Sequence, residues 1–575
     1  MAVLAALVCV GLALWVHRRA LGAYFSPDDL ISFERARGLL PPHPLPFWRF
    51  LSGPAYFTTG LRVFGVDPVP FHLVNWLAHG MNVALLFRLM RRWGASTSAA
   101  IVASGVFGTS RLAHSALLQA VGVGELLATT GLLLSLLALD PNRPRSWWRA
   151  GLLFAAALLC KESVLLLPAL VLLPLPPPAP ARRRLGATAV LLAASGLLLL
   201  LLVLGRGRSS AFAGEAYAVA FGVNLFHNLM TYVTWTLDYR TVLPDIGGRV
   251  LPAAWRTGLP VMLGLGVLVA LRPRPRAMAG LFWFVLALLP VLPLLHHSYL
   301  QYAYAALAGV SILLAEAWDG AFRSLDRRLS GERAPHRDRR SMPAPAGRVW
   351  VPVASAMTLV ATLALVGEHL VDLRWDQRIP GRDFHVDPTL RKSEVIRHVS
   401  ESLRPALAGR RARLVFVEPA ESHQSFVVGT GRSLARTDPA AQDLLSAVLD
   451  MGRGLRALYP GLDSVVFVQR WSPELRDFDL TANTPEGYAV DFGQGPEAHL
   501  RFASALVERG FTSVAIDHLA AVARTYPDDP RLGLALVQAL ARGGRQAQAE
   551  ALAEALRRRF PRDSAAVETE RVLRN

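Results

Sequence analysis

Eleven apolar runs occupy the first 366 residues of this 575-residue chain, at roughly 2–16, 70–90, 98–118, 124–139, 148–160, 163–176, 186–205, 256–271, 278–294, 298–317 and 349–366. Hydrocarbon offers no partner to backbone N–H and C=O groups, so such segments cross it as helices that bond internally. The expected fold is therefore mainly α, a polytopic membrane helix bundle of about eleven spans. Several runs fall short of the about 20 residues that a straight span needs, which predicts broken, re-entrant or extended crossings. A composition of 52% hydrophobic and 18% charged residues fits the membrane class.

The net charge of +18 is unevenly spread. Residues 367–575 hold 28 basic and 28 acidic side chains, whereas residues 1–366 hold 33 and 15. An excess confined to loops between apolar runs obeys the positive-inside rule and excludes nucleic acid as the partner that explains it. Arg91-Arg92, "PNRPRSWWR", Arg182–Arg184, "RPRPR" and the Arg-rich 318–348 all fall on one side if eleven runs cross and 217–238 is interfacial or re-entrant. This sets the N-terminus in the cytoplasm. The loop 17–69, the Lys161–Ser163 turn, His296-His297 and the region 367–575 then face the outer side, the periplasm if the membrane is a bacterial inner membrane. Only the pair Arg18-Arg19 is left outside. The N-terminal run has no basic leader and is expected to remain as a first span, the alternative being a removable signal peptide. Cys9 and Cys160, both in apolar runs, exclude a disulfide scaffold.

Two kinds of charge stand out on the expected outer side. "SPDDL" sets Asp28 and Asp29 just beyond the first span, where they suit a general base, a metal ligand or the first turn of a capped helix. The apolar stretch 151–174 holds Lys161, Glu162 and Ser163 at its middle, and Lys161 is one of two lysines among 61 basic residues. Charges at membrane depth default to a functional site, the plainer reading being a solvated turn between helices. His72, Asn75, His79 and Asn82 form one stripe of a helix and must meet protein or water. No metal is expected, because adjacent histidines such as His296-His297 chelate poorly and no ligand cluster supports a divalent cation.

In the tail, "RARLVFVEP" and "SVVFVQR" read as strands and the segments around them as amphipathic helices, giving a small α/β domain over 367–496. Over 497–575, Leu506 recurs as Leu540, Gly510 as Gly544, Tyr526 as Phe560 and Pro527 as Pro561, always 34 apart. That period is the tetratricopeptide signature. Two such repeats either bind a protein or peptide partner or simply cap the domain. With a membrane domain over 1–366, the expected organisation has three parts.

Taken in order, "SPDDL", "FWRFLSGPAYFTTGLRVFGVDPVPFHLVNWLAHGMNVALLFRLMRR", "SRLAHSALLQAVGVGELLATTGLLLSLLAL", "LLCKESVLLLPAL" and "LFWFVLALLPVLPLLHHSYLQYAYAALAG" resemble the C-type (GT-C) integral-membrane glycosyltransferases, particularly the mannosyltransferase-like branch with tetratricopeptide repeats. The resemblance runs over residues 24–310. It implies an inverting transfer of a sugar from a polyprenyl-phosphate carrier in the membrane to an acceptor hydroxyl. It implies Asp28 or Asp29 as catalytic base and Glu125 as a second acidic residue. Lys161 and Arg49 would contact the donor phosphate, with Glu162 positioning Lys161, while His72, His114, Tyr302 and Tyr304 line the cavity. Nothing in it requires a bound cofactor.

There are departures: Leu300 and Gln301 stand where the family often has Glu-Arg, and His114-Ser115 where it has His-Pro. These leave open a non-catalytic scaffold with the fold retained and the repeats recruiting partners. A lipid-linked oligosaccharide ligase or polymerase is the nearest enzymatic rival, but its large late outer loop is missing, since 318–348 is expected on the cytoplasmic side. A transporter is disfavoured because the halves do not repeat each other.

Overall fold

The computed structural model describes residues 1–41, 43, 45, 47–205, 218–237, 254–271, 274–295, 299–329, 346–378, 385–407, 410–417, 445–484, 487–508 and 510–574. His296 and His297, Arg272 and Pro273 of "RPRPR", and most of the Arg-rich 318–348 lie outside the described residues. The chain divides into two compact units, Met1–Tyr24 with Pro41–Leu390, and Phe25–Leu40 with Arg391–Asn575. The first unit thus runs past the expected boundary at 366, and the second takes in a short piece of the first loop.

The helices are α1 (Ala2–Val16), α2 (Pro27–Ala36), α3 (Tyr56–Phe64), α4 (Pro68–Arg92), α5 (Thr97–Thr109), α6 (Arg111–Leu117), α7 (Val123–Ala138), α8 (Pro144–Cys160), α9 (Ala181–Gly205), α10 (Val223–Leu237), α11 (Ala254–Leu271), α12 (Pro275–Leu288), α13 (Ala303–Leu329) and α14 (Ala346–Asp376). Among the described residues five helical segments are long and apolar enough to cross a membrane: Pro68–Arg92, Ala120–Ala138, Ala181–Leu202, Leu300–Leu325 and Trp350–Asp376. Ala2–Val16, Thr97–Thr109, Glu162–Leu172, Gly258–Val267 and Pro275–Leu288 are apolar but shorter. The chain is a mainly helical, integral membrane protein. Its short runs are short for visible reasons. After α8 the backbone turns extended at Lys161 and continues as 3-10 turns over Glu162–Val164 and Leu167–Leu172, the second with Pro168 in its first turn.

The first unit packs through small residues and buried polar groups. A Cβ on Gly280 of α12 would stand 2.7 Å from the Gly309 carbonyl of α13, and one on Gly309 would stand 2.5 Å from the Gly280 carbonyl, so glycine lets the two backbones touch. The basic pair left outside by the charge rule is neutralised locally. Arg18 pairs with Glu368 at 2.5 Å, and Arg19 with Asp372 at 2.8 Å and Asp376 at 2.7 Å, all on the last turns of α14.

In the second unit, β1 (Ala412–Val417), β2 (Leu462–Val468), β3 (Asp479–Thr484) and β4 (Gly487–Gly493) form a sheet in the order β2-β1-β3-β4. β1 is parallel to β2 and β3, and β3 is antiparallel to β4. Its helices are α15 (Pro388–Leu407), which crosses the boundary between the units, α16 (Leu445–Val448), α17 (Arg453–Leu458), α18 (Gly495–Glu508), α19 (Thr512–Thr525), α20 (Pro530–Arg542), α21 (Gln546–Arg559) and α22 (Ser564–Arg574). The 34-residue period maps onto two hairpins, α18–α19 and α20–α21. Gly510 and Gly544 take φ of +83° and +72° at equivalent turns, a conformation that glycine adopts without strain. Val415 and Leu480 of the sheet share one apolar core with Phe502, Leu506, Leu519, Leu536 and Leu540 of the hairpins.

Gly309→Ala is expected to lower stability by about 1–3 kcal/mol through overpacking, read as a lower melting temperature in detergent. Gly11→Ala, where a Cβ meets nothing within 4 Å, serves as the unaffected control.

Candidate functional site

Four joints between helices in the first unit bring charges together. Glu125 lies in the first turn of α7, Lys161 and Glu162 follow α8, and Arg49 precedes a π-turn over Leu51–Ala55. Tyr302 ends the 3-10 turn before α13. Irregular backbone at membrane depth persists only where protein or a wet cavity satisfies it. Here Ser52 Oγ donates to the Cys160 carbonyl at 2.6 Å, taking up one of the orphan carbonyls that end α8.

Lys161 Nζ stands 2.8 Å from Glu125 Oε1, the two side chains being 11% and 1% exposed. Ser163 Oγ donates to the other Glu125 oxygen at 2.7 Å. Lys161 also lies over the Tyr302 ring, 5.1 Å from its centroid. The neighbouring pair is Arg49 with Glu162: Arg49 Nε donates to Oε2 at 3.0 Å and its terminal nitrogen to Oε1. Trp48 Nε1 donates to the same Oε2 at 3.2 Å, and the Arg49 guanidinium sits over the Trp48 ring at 4.5 Å. Arg49 takes φ of +51°, a left-handed conformation that costs a non-glycine residue energy and collects at functional sites.

Adjacent Lys161 and Glu162 form their ion pairs with different partners. Lys161 is extended (φ −163°, ψ 146°), so its side chain and that of the next residue leave the backbone in opposite directions. Lys161 reaches Glu125, and Glu162 turns to Arg49. Trp48, Ser52 and Ser163 complete the arrangement, beyond the residues that the resemblance implies. The Trp-Arg dipeptide in "FWRFL" was the available signal for Trp48.

His114, Tyr304 and His72 sit elsewhere in the same unit. His17 Nε2 and His79 Nε2 both donate to the Gly108 carbonyl, at 3.1 and 3.0 Å, in the last turn of α5. A carbonyl only accepts, which fixes both tautomers. His17 Nδ1 then accepts from His114 Nδ1 at 3.3 Å, and His114 Nε2 accepts from Trp375 Nε1 at 2.8 Å. On the other arm Tyr304 Oη donates to His79 Nδ1 at 2.9 Å and accepts from Asn82 Nδ2 at 3.1 Å. His72 Nδ1 donates to the Leu117 carbonyl at 3.0 Å. His114 and Tyr304 are thereby consumed in a buried chain between helices, and His79 and Asn82 of the polar stripe are its α4 members. Among the described residues, no group of three or more His, Cys, Asp or Glu is placed to hold a metal ion.

Asp28 and Asp29 belong to the second unit. Their shared sequence context separates into two roles. Asp29 is fully buried and its Oδ2 accepts from Ser26 N at 2.7 Å and Ser26 Oγ at 2.9 Å, completing a capping box at the start of α2. Asp28, on the next face, is exposed.

The fold and site define a multi-span membrane protein with paired charges at its helix joints. No family model matches the chain. Over 128 residues it is 33% identical to protein O-mannosyl-transferase Tmtc2 of Drosophila melanogaster, a match covering 20% of this chain and 14% of that protein. The chain thus matches about a seventh of that curated relative's length. A crystal structure of ArnT from Cupriavidus metallidurans, bound to undecaprenyl phosphate, aligns with 84% of this chain and 93% of that one, at 15% identity and a TM-score of 0.44.

Removing Lys161 alone strands a buried carboxylate. Lys161→Met is expected to destabilise the solubilised protein by about 3–5 kcal/mol, and Lys161→Met/Glu125→Gln to recover most of it. Thermal unfolding of the wild type and the two variants checks this; a double variant no better than Lys161→Met refutes the coupling.

Proposed function

We propose that the chain is a GT-C-type membrane glycosyltransferase that moves a sugar from a polyprenyl-phosphate carrier to an acceptor hydroxyl on the outer, periplasmic face. The observation that carries this reading is the pair of cation–carboxylate contacts, Lys161–Glu125 and Arg49–Glu162, at irregular joints of the first unit. Each cation already holds carboxylate oxygens, and a phosphate oxygen makes the same charge-assisted contacts. Arg49 offers a planar fork and Lys161 a compact point charge, a combination suited to a lipid phosphate. The similarity over 128 residues to a protein O-mannosyl-transferase supports the same class.

In this reading Asp28 is the base, because Asp29 is taken up by the helix cap. Asp28 accepts the proton of the acceptor hydroxyl as that oxygen bonds to the anomeric carbon. The bond from that carbon to the phosphate oxygen breaks on the opposite side, inverting the centre. The electron pair leaves with the lipid phosphate, whose charge Lys161 and Arg49 stabilise. Tyr302 flanks Lys161. The hairpins of the second unit offer a surface for a protein or peptide partner.

The test is transfer by the full-length protein in liposomes, with a panel of polyprenyl-phosphate sugars and a hydroxyl acceptor. Asp28→Asn is expected to lower kcat by about 10²-fold or more. Lys161→Met and Arg49→Met are each expected to lower kcat/KM by about 10²-fold. Asp29→Asn chiefly lowers the melting temperature. Wild-type protein that binds polyprenyl phosphates yet transfers from none of the donors would instead favour a scaffold.

A further inference from the structure

Helix α2 carries both candidate base carboxylates and packs as part of the second unit. Its contact there is close: a Cβ on Gly454, at the start of α17, would stand 2.6 Å from Leu30 Cδ1. One turn further along α2, Glu34 is fully buried. Neither of its carboxyl oxygens accepts a hydrogen bond. The cation facing it is Arg453, whose Nε stands 3.6 Å from Glu34 Oε2. That guanidinium is committed to Asp450, through Nε at 3.1 Å and its terminal nitrogen at 2.9 Å. The turn presenting the pair is strained, with φ of +46° at Asp450 and +52° at Met451.

Charge counting decides what Glu34 does. Asp450 and Arg453 neutralise one another, so an ionised Glu34 adds an uncompensated buried charge, whereas a protonated one adds none and can donate to Asp450. The charged groups acting on it are Asp450 and Arg453 from the facing turn and Arg35 from its own helix. We infer that Glu34 is a proton-sensitive positioning residue, which keeps α2 and its Asp28 seated on the Asp450–Gly454 turn of the C-terminal unit while protonated and unseats them once ionised. The consequence for Asp28 rests on reading it as the base. Burial first, and then Asp450, push the Glu34 carboxyl up to about 8 from an ordinary value of 4.5, against the pull of Arg453 and Arg35. The seated state therefore binds the proton more tightly than the unseated one. Its support is complete below about 4.5 and is lost as pH rises towards about 8.

The experiment compares hydrogen exchange of the amides of residues 28–36 in full-length wild type and Glu34→Gln, in detergent, across pH 5 to 9. Taking the ratio at each pH removes the intrinsic pH dependence of exchange. The ratio of wild type to Glu34→Gln is expected to rise with pH, by at most about tenfold per unit, and to level off above about 8. Asp450→Asn, a residue type that tolerates the left-handed turn, is expected to move the midpoint down by about one pH unit. A flat ratio across the range overturns the inference. Transfer measured over the same range should fall with pH in wild type and not in Glu34→Gln. A pH-dependent exchange ratio beside transfer that is insensitive to Asp28→Asn keeps Glu34 as the seat of α2 and removes Asp28 as the base.

Discussion

A carboxylate almost shut off from water, set among apolar helices, has to be matched by a cation, and the first unit is organised around meeting that requirement at Glu125. Lys161 reaches it only because α8 stops at Cys160 and the next residue is extended. That break leaves the α8 carbonyls needing partners, which Ser52 supplies from the π-turn that follows Arg49. With Lys161 committed, Glu162 is available to Arg49. The two ion pairs, the π-turn and the 3-10 turns therefore form one interdependent arrangement.

Much of this architecture was legible in the residues. Most of the apolar runs fall on α-helices, 163–176 forming 3-10 turns instead, the polar stripe of α4 meets protein partners, and the 34-residue period marks two helical hairpins. Other features depended on contacts that no local pattern reveals. Adjacent Lys161 and Glu162 read as a pair until the backbone conformation sends them apart. Asp28 and Asp29 are indistinguishable in sequence, yet on a helix they lie about 100° apart. One turns to the cap and the other outward. The attachment of α2 to the second unit joins Leu30 to Gly454 across more than 400 residues, a separation beyond the reach of periodicity.

The same limits shape the functional reading. The residues implied by family resemblance split into three physical sorts: ion pairs at helix joints, a capped acidic helix, and a buried chain of imidazoles. Lys161 and Arg49 with their carboxylates are the first, Asp28 and Asp29 the second, and His114 and Tyr304 belong to the third. His114 and Tyr304 are each held in the hydrogen-bonded chain between helices.

The imidazole chain has a further consequence, one of insulation. Proton hopping needs each link to donate in the direction from which the next accepts. Here both arms, Trp375–His114–His17 and Asn82–Tyr304–His79, point their donors inward and meet at the Gly108 carbonyl, which has no proton to pass on. Three histidines and a tyrosine thus thread polar groups between apolar helices while forming a dead end for protons.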